Sequence, residues 1–235
     1  MPGESQQVEM RTHCIRCGEC CLRSSPTLQA EDLHLIEEGR LKKRDLITLR
    51  KGEMVADIVH NTVGPSTEEL IKVREKKGDG RGCLFYDETA RACALYDVRP
   101  IQCRALKCWD TGGILEILGR PKLKRSQVVR KGVLSSLIQE HEKRCSYGAV
   151  ENCVLRISSE GRKAVEDLLA LVRFDFHLRP FVSSKLVTPE EEMNFYFGRP
   201  LAETIEDYGL QVIRERDGGF FLTKACEKRK NGMME

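Results

Sequence analysis

Four thiols stand within eight residues at Cys14-Ile15-Arg16-Cys17-Gly18-Glu19-Cys20-Cys21, a C-x-x-C-x-x-C-C run. Packing has no use for thiols at this spacing, flanked by Arg16, Gly18 and Glu19, although cysteine is otherwise a small buried hydrophobe. A metal does have a use for it. In C-x-x-C the chain can turn two sulfurs toward one ion, at about 2.3 Å when the ion is zinc, and Gly18 permits positive φ in that turn. The vicinal pair is the unusual part. Neighbouring side chains on extended backbone point to opposite sides, which leaves one of Cys20 and Cys21 for a second ion, a second iron, or no metal.

A second cluster follows at Cys83, Cys93, Cys103 and Cys108, so eight of the eleven cysteines fall in two groups. Cys145, Cys153 and Cys226 stand alone and read as buried or incidental thiols. The first cluster has vicinal thiols and the second has widely spaced ones, so neither offers a comfortable closed set and the two are expected to meet in space. The candidate metal ligands are therefore Cys14, Cys17, Cys20, Cys21, Cys83, Cys93, Cys103 and Cys108.

Three readings compete for these eight thiols. Structural zinc would close one or two four-thiolate sites with no open position for chemistry, and its binding would be part of the folding free energy. An iron-sulfur cluster is suggested by Cys14, Cys17 and Cys20, which reproduce the three-thiol start of a ferredoxin-type ligand set. The spacing of radical enzymes that use S-adenosylmethionine is absent, and no Cys-Pro follows the third thiol. The third reading, reduced thiols without a metal, leaves an oxidation hazard in place. All-thiolate coordination suits zinc and iron-sulfur equally. Arg16, Arg99, Arg104, Lys107 and His13 sit among the thiols, either as charges that favour thiolates and donate to sulfur or as surface groups that happen to be near. His13 is also an alternative ligand to a thiol, and Tyr96 and Trp109 are expected to pack against the cluster.

The elements that must position these thiols are short. Gln29 to Glu38 reads as a helix with Leu33, Ile36 and Leu28 inward and Gly39 ending it, and Lys43 to Arg50 as a second. Met54 to Val59 and Glu69 to Val73 read as strands separated by a turn at Gly64-Pro65-Ser66. Lys76 to Gly82 is a loop leading into a hairpin with Cys83 and Cys93 on its arms, and Arg99-Pro100 forces an extended step before a helical turn or two carrying Cys103 and Cys108. The basic stretch Arg120 to Lys131 reads as a solvated linker face rather than a phosphate site.

Beyond it the pattern turns helical. Val133 to Lys143 predicts one helix. Ser158 can cap a longer one in which Ala164, Val165, Leu168, Leu169, Val172 and Phe176 repeat at helical spacing, until Pro180 ends or kinks it. Thr188-Pro189-Glu190-Glu191 reads as a helix start, Pro200 to Tyr208 as a short helix, and Leu210 to Thr223 as a hairpin around Asp217-Gly218-Gly219. Residues 1 to 12 read as disordered and the closing Lys228 to Glu235 as fraying. The fold class is thus α+β: an irregular cysteine-rich metal-binding domain over 11–120, then a mainly helical region over 125–235 that ends in a β-hairpin.

Composition narrows the function. The chain has 235 residues, 40% hydrophobic and 32% charged, with a net charge of +3 from 39 basic and 36 acidic side chains. That balance gives no nucleic-acid signal. No apolar run is long enough to span a bilayer, and Met1 to Met10 lacks the form of a signal peptide, so no membrane is expected and a cytoplasmic location is. There cysteines stay reduced, which favours metal over disulfides. G-x-G-x-x-G after a strand, G-x-x-x-x-G-K, H-E-x-x-H and G-x-S-x-G are all missing. A protein partner is left to the helical region.

Taken together, Cys14-x-x-Cys17-x-x-Cys20-Cys21, Gly82-Cys83-Leu84-Phe85, Cys93-Ala94-Leu95-Tyr96 and Arg99-Pro100-x-x-Cys103-Arg104 resemble the CxxCxxCC cysteine-cluster family, the YkgJ-like proteins named for zinc or iron chelation. The resemblance covers about residues 11 to 110. A related cysteine-rich module occurs in flagellin lysine N-methylases, where it implies an iron-sulfur cluster in methyl transfer. The second half of this chain does not resemble the rest of that enzyme. The resemblance implies a metal-binding protein, with an iron-sulfur-dependent redox or methyl-transfer enzyme as the alternative.

Overall fold

The computed structural model describes residues 12–57, 62–76, 82–215 and 218–225. The expected disorder over residues 1–11, the ends of the strand and loop at 58–59 and 77–81, the turn residue Asp217, the solitary Cys226 and the fraying tail lie outside the described residues. The architecture is α+β, with short helices and small antiparallel pairs throughout. The chain forms two compact units: Met1–Leu41 with Lys72–Leu123, and Lys42–Ile71 with Lys124–Glu235.

The first unit is held by a small core and by single bridges. Leu28, Leu35, Val73 and Leu123 are fully enclosed, and antiparallel bridges join Thr27 to Lys72, Gln29 to Lys122 and Glu75 to Cys83. The expected helix after Gln29 forms as a 3-10 turn, Ala30–Asp32, running into Leu33–Glu37, and Gly39 ends it at φ 72°. Its inward face is turned from the expected one: Leu35 is buried, while Leu33 and Ile36 are half-buried. Asp32 is the organising residue. One carboxylate oxygen accepts from the Gln29 N–H and the other from the Ile101 N–H, both at 2.9 Å. Burial pushes the carboxyl up, and the two N–H bonds work against that rise. The same side chain thereby caps one turn and anchors the start of the helix Ile101–Ala105, which carries Cys103.

The second unit holds the longer helices Val133–Arg144, Tyr147–Glu160 and Arg162–Lys185. Its core gathers Val150, Leu168, Leu169, Val172, Leu201 and Ile205 with the buried thiols Cys145 and Cys153, so these two solitary cysteines are packing residues. The hairpin pairs Leu210–Arg214 with Phe220–Lys224.

Several expectations are corrected here. Lys43 to Arg50 is a 3-10 turn, Lys43–Asp45, then a strand, Leu46–Leu49, whose residues alternate between buried and half-buried. Gly64 and Pro65 belong to a strand, Thr62–Pro65, paired with Met54–Asp57. Ser158 lies inside the helix capped by Ser146, whose hydroxyl accepts from the Ala149 N–H at 3.3 Å. The following helix continues through Pro180. The Thr188 hydroxyl bonds the Leu186 carbonyl and caps nothing. The basic stretch is a solvated face only in part: Arg130 and Lys131 are exposed, but two of its cations are buried. In the first unit, Lys122 is buried with Nζ donating to the carbonyls of Leu118 and Arg120. In the second, Arg125 is buried against Glu69, Glu142 and the Tyr196 carbonyl.

Candidate metal centre

All eight candidate ligands lie in the first unit. Cys14 and Cys17, both half-buried, sit on the loop that leads into the helix Glu19–Arg23, and that helix carries the exposed Cys20 and the half-buried Cys21. Cys83 is buried beside the hairpin Tyr86–Asp87 and Ala92–Cys93, not on its arm as expected, while Cys93 is on the second strand opposite Tyr86. Cys103 lies on the helix Ile101–Ala105, and Cys108 is exposed beyond its end.

Two glycines let the first cluster approach the second. Gly18, at φ 83°, faces Tyr86 so closely that a Cβ would stand 1.9 Å from the phenol oxygen. Gly82, at φ 100°, lies against the backbone of Cys21 and Leu22, where a Cβ would meet the Cys21 oxygen at 2.4 Å. Through that gap the Cys83 N–H donates to the Cys21 carbonyl at 2.7 Å. Gly18 was legible as the glycine inside C-x-x-C-x-x-C-C. The roles of Tyr86 and Gly82 were not, because local sequence does not say what lies opposite.

Five sulfurs from four segments come within electrostatic reach of one another. Cys21 feels the charges of Cys20, Cys93 and Cys103, and Cys103 those of Cys83, Cys93 and Cys20. The Cys20 and Cys21 sulfurs are 3.9 Å apart. Their bond divides the pair: stabilised by the Cys21 thiol, Cys20 falls to about 6, while the same bond, with burial, holds Cys21 up. Burial also raises Cys83 and Cys103. Arg99 acts on Cys20 and Cys103 in favour of the thiolate. His13 is exposed beside Thr12.

Among the described residues, no three His, Cys, Asp or Glu side chains are spaced to close on one ion as they stand. The donor set nevertheless fits a thiophilic ion in its chemistry: the gathered atoms are sulfurs, one of them readily ionised, and the glycine gaps bring them together where any side chain would hold them apart. Thiolate sulfur selects zinc, Cu(I) and iron-sulfur clusters.

No helix among the described residues is long and apolar enough to cross a membrane. No solved structure matches the chain. An uncharacterized protein of Methanocaldococcus jannaschii is 34% identical over 92 residues, a match that spans 39% of this chain and 42% of that protein. The sequence model of the CxxCxxCC family, described as a "Putative zinc- or iron-chelating domain", matches residues 13–116, a segment that holds both cysteine clusters and every candidate ligand. Over residues 13–116 the chain is similar to that domain.

Proposed function

We propose that this protein binds zinc or iron through thiolates drawn from both clusters, at one or two sites whose ligands come from Cys14, Cys17, Cys20, Cys21, Cys83, Cys93, Cys103 and Cys108. The observation that carries the reading is the gathering of Cys20, Cys21, Cys83, Cys93 and Cys103 from segments that lie, between Cys20 and Cys103, 83 positions apart. Cys14 and Cys17 enter the same centre on the loop that precedes Cys20. Metal binding is the work of the 11–120 part. The 125–235 region is the place for a protein partner, and the location is cytoplasmic. A second reading, an iron-sulfur enzyme of redox or methyl transfer, is favoured by the C-x-x-C-x-x-C order of Cys14, Cys17 and Cys20.

The test is elemental analysis with a visible absorption spectrum on protein purified without air. Zinc in colourless protein supports the structural site. Iron with matching sulfide and a thiolate-to-iron absorption band supports the second reading. Protein that takes up neither metal when reconstituted overturns both. Cys17→Ser and Cys103→Ser are each expected to lower bound metal and destabilise the first unit, whereas Cys145→Ser and Cys153→Ser leave metal content unchanged. Normal metal in both of the first pair would exclude a site shared between the clusters.

A further inference from the structure

Arg16 lies between the first two thiols with φ at 57°, in the left-handed region that a residue with a Cβ occupies only at a cost. Such a conformation persists where its surroundings determine it. Here the surrounding group is an aromatic ring. The Arg16 guanidinium carbon stands 4.2 Å from the centroid of the Tyr96 ring, well within the reach of a cation–π contact.

Tyr96 is itself held. Arg99 places its guanidinium carbon 4.0 Å from the same centroid, and its Nε donates to the Tyr96 carbonyl at 2.8 Å. One side chain therefore fixes both the ring and the backbone of the 3-10 turn Tyr96–Val98, which lies between Cys93 and Cys103. Two guanidinium groups on one ring repel each other. The negative face of the ring attracts both and offsets that repulsion.

We propose that Tyr96 is a positioning residue of the thiolate centre: through Arg16 its ring latches the Cys14–Cys17 loop onto the segment carrying Cys93 and Cys103. The first cluster is then presented to the second before any metal arrives. The functional meaning of the latch rests on the metal-binding reading, but the latch itself is a property of the metal-free chain. Phenylalanine keeps the ring and serves as well as tyrosine. Leucine fills similar space without a π face and does not.

The experiment measures amide hydrogen exchange by mass spectrometry over residues 12–18 in the full chain, reduced and free of metal. Tyr96→Leu and Arg16→Gln are each expected to speed exchange about tenfold, a change of about 1.4 kcal/mol, and Tyr96→Phe is expected to match the wild type. Arg16 is exposed, so its substitution tests the latch even where Tyr96→Leu disturbs folding. Zinc loaded into the same variants and drawn off by a chelator is expected to leave about tenfold faster from Tyr96→Leu and Arg16→Gln. Wild-type exchange in Arg16→Gln, or exchange in Tyr96→Phe as fast as in Tyr96→Leu, overturns the latch. A wild-type chain that takes up no zinc overturns the metal-binding reading instead, and the exchange result still decides the latch.

Discussion

Gly82 sets how near the two cysteine clusters can come. At φ 100° its absent side chain leaves the Cys21 carbonyl oxygen and the Leu22 Cα 2.4 and 2.6 Å from where a Cβ would stand. Both obstacles are backbone and cannot swing aside, and the adjacent Cys83 N–H depends on the same closeness for its bond to Cys21. Gly82→Ala combines a left-handed φ with a collision and is expected to cost more than about 3 kcal/mol. Urea unfolding followed by Trp109, the single tryptophan of the chain and part of the first unit, measures it. Gly39 supplies the control. Its φ of 72° is also left-handed, but nothing stands within 4 Å of its Cβ position, so Gly39→Ala is expected to cost only about 1 kcal/mol. Equal losses at the two sites would mean that backbone conformation alone, not the approach of the clusters, is limiting.

Among the elements, the helix Arg162–Lys185 bears a proline that ought to break it. Pro180 has no N–H to give to the Phe176 carbonyl, and its ring crowds that carbonyl. The helix continues because the turns on either side are fixed from outside. Leu178 and Val182 are buried, and Arg179 donates to Asp175 and to the Gly198 carbonyl. Tertiary contacts of this kind overrule a local preference. Pro180 itself is exposed, so Pro180→Ala removes little packing and returns a donor; the thermal midpoint is expected to rise, by a gain of about 1–3 kcal/mol. A lower midpoint would show that the bend set by the proline is required by the packing. The same contrast separates what could be read in the sequence from what could not. The apolar stripe from Ala164 to Phe176 is local and does lie on one helix, although that helix starts at Arg162 and runs on through Pro180, and the strands Leu210–Arg214 and Phe220–Lys224 pair as the hairpin signal leads one to expect. The cysteine spacing is local too, and it carries the likeness to the cysteine-cluster family. By contrast, Leu46–Leu49 becomes a strand in a stretch whose own pattern admits a helix, and Tyr147–Glu160 is obscured by Gly148 near its start and Ser158-Ser159 near its end. Arg125 gave no local sign that Glu69 and Glu142 would bury it. These outcomes depend on partners distant in sequence, which periodicity does not encode.

At the scale of the whole molecule, the second unit carries a group of charged side chains inside. Arg50, Glu53, Arg125, His141, Asp175 and Arg179 are all buried. Such a network is costly to desolvate and depends on each partner keeping its protonation state. His141 is the member that titrates nearest neutrality. Its Nε2 meets Asp175 Oδ1 at 2.8 Å, its ring packs edge-on to Phe197, and Arg50 and Arg179 bring positive charge close. Burial, with those two cations, lowers its pKa despite the pull of Asp175, so the folded unit holds a neutral imidazole while an unfolded chain takes up a proton below about pH 6.5. The contribution is therefore complete above that pH and is lost as the pH falls below it. Asp175 behaves in the same sense at lower pH. Burial alone would raise it, but the His141 bond and the Arg179 charge outweigh that and hold it at about 2, so its share persists until the pH drops below about 4. Acid thus acts on the second unit in two steps, the first belonging to His141. Between pH 7.5 and 5.5 the wild type is expected to lose more stability than His141→Gln, a replacement that can still donate to Asp175 and carries no titrating group. Urea unfolding followed by far-ultraviolet circular dichroism reads mainly this unit, because the long helices belong to it. Parallel losses in the two proteins would remove His141 as the origin of the first step and place it among the remaining buried charges.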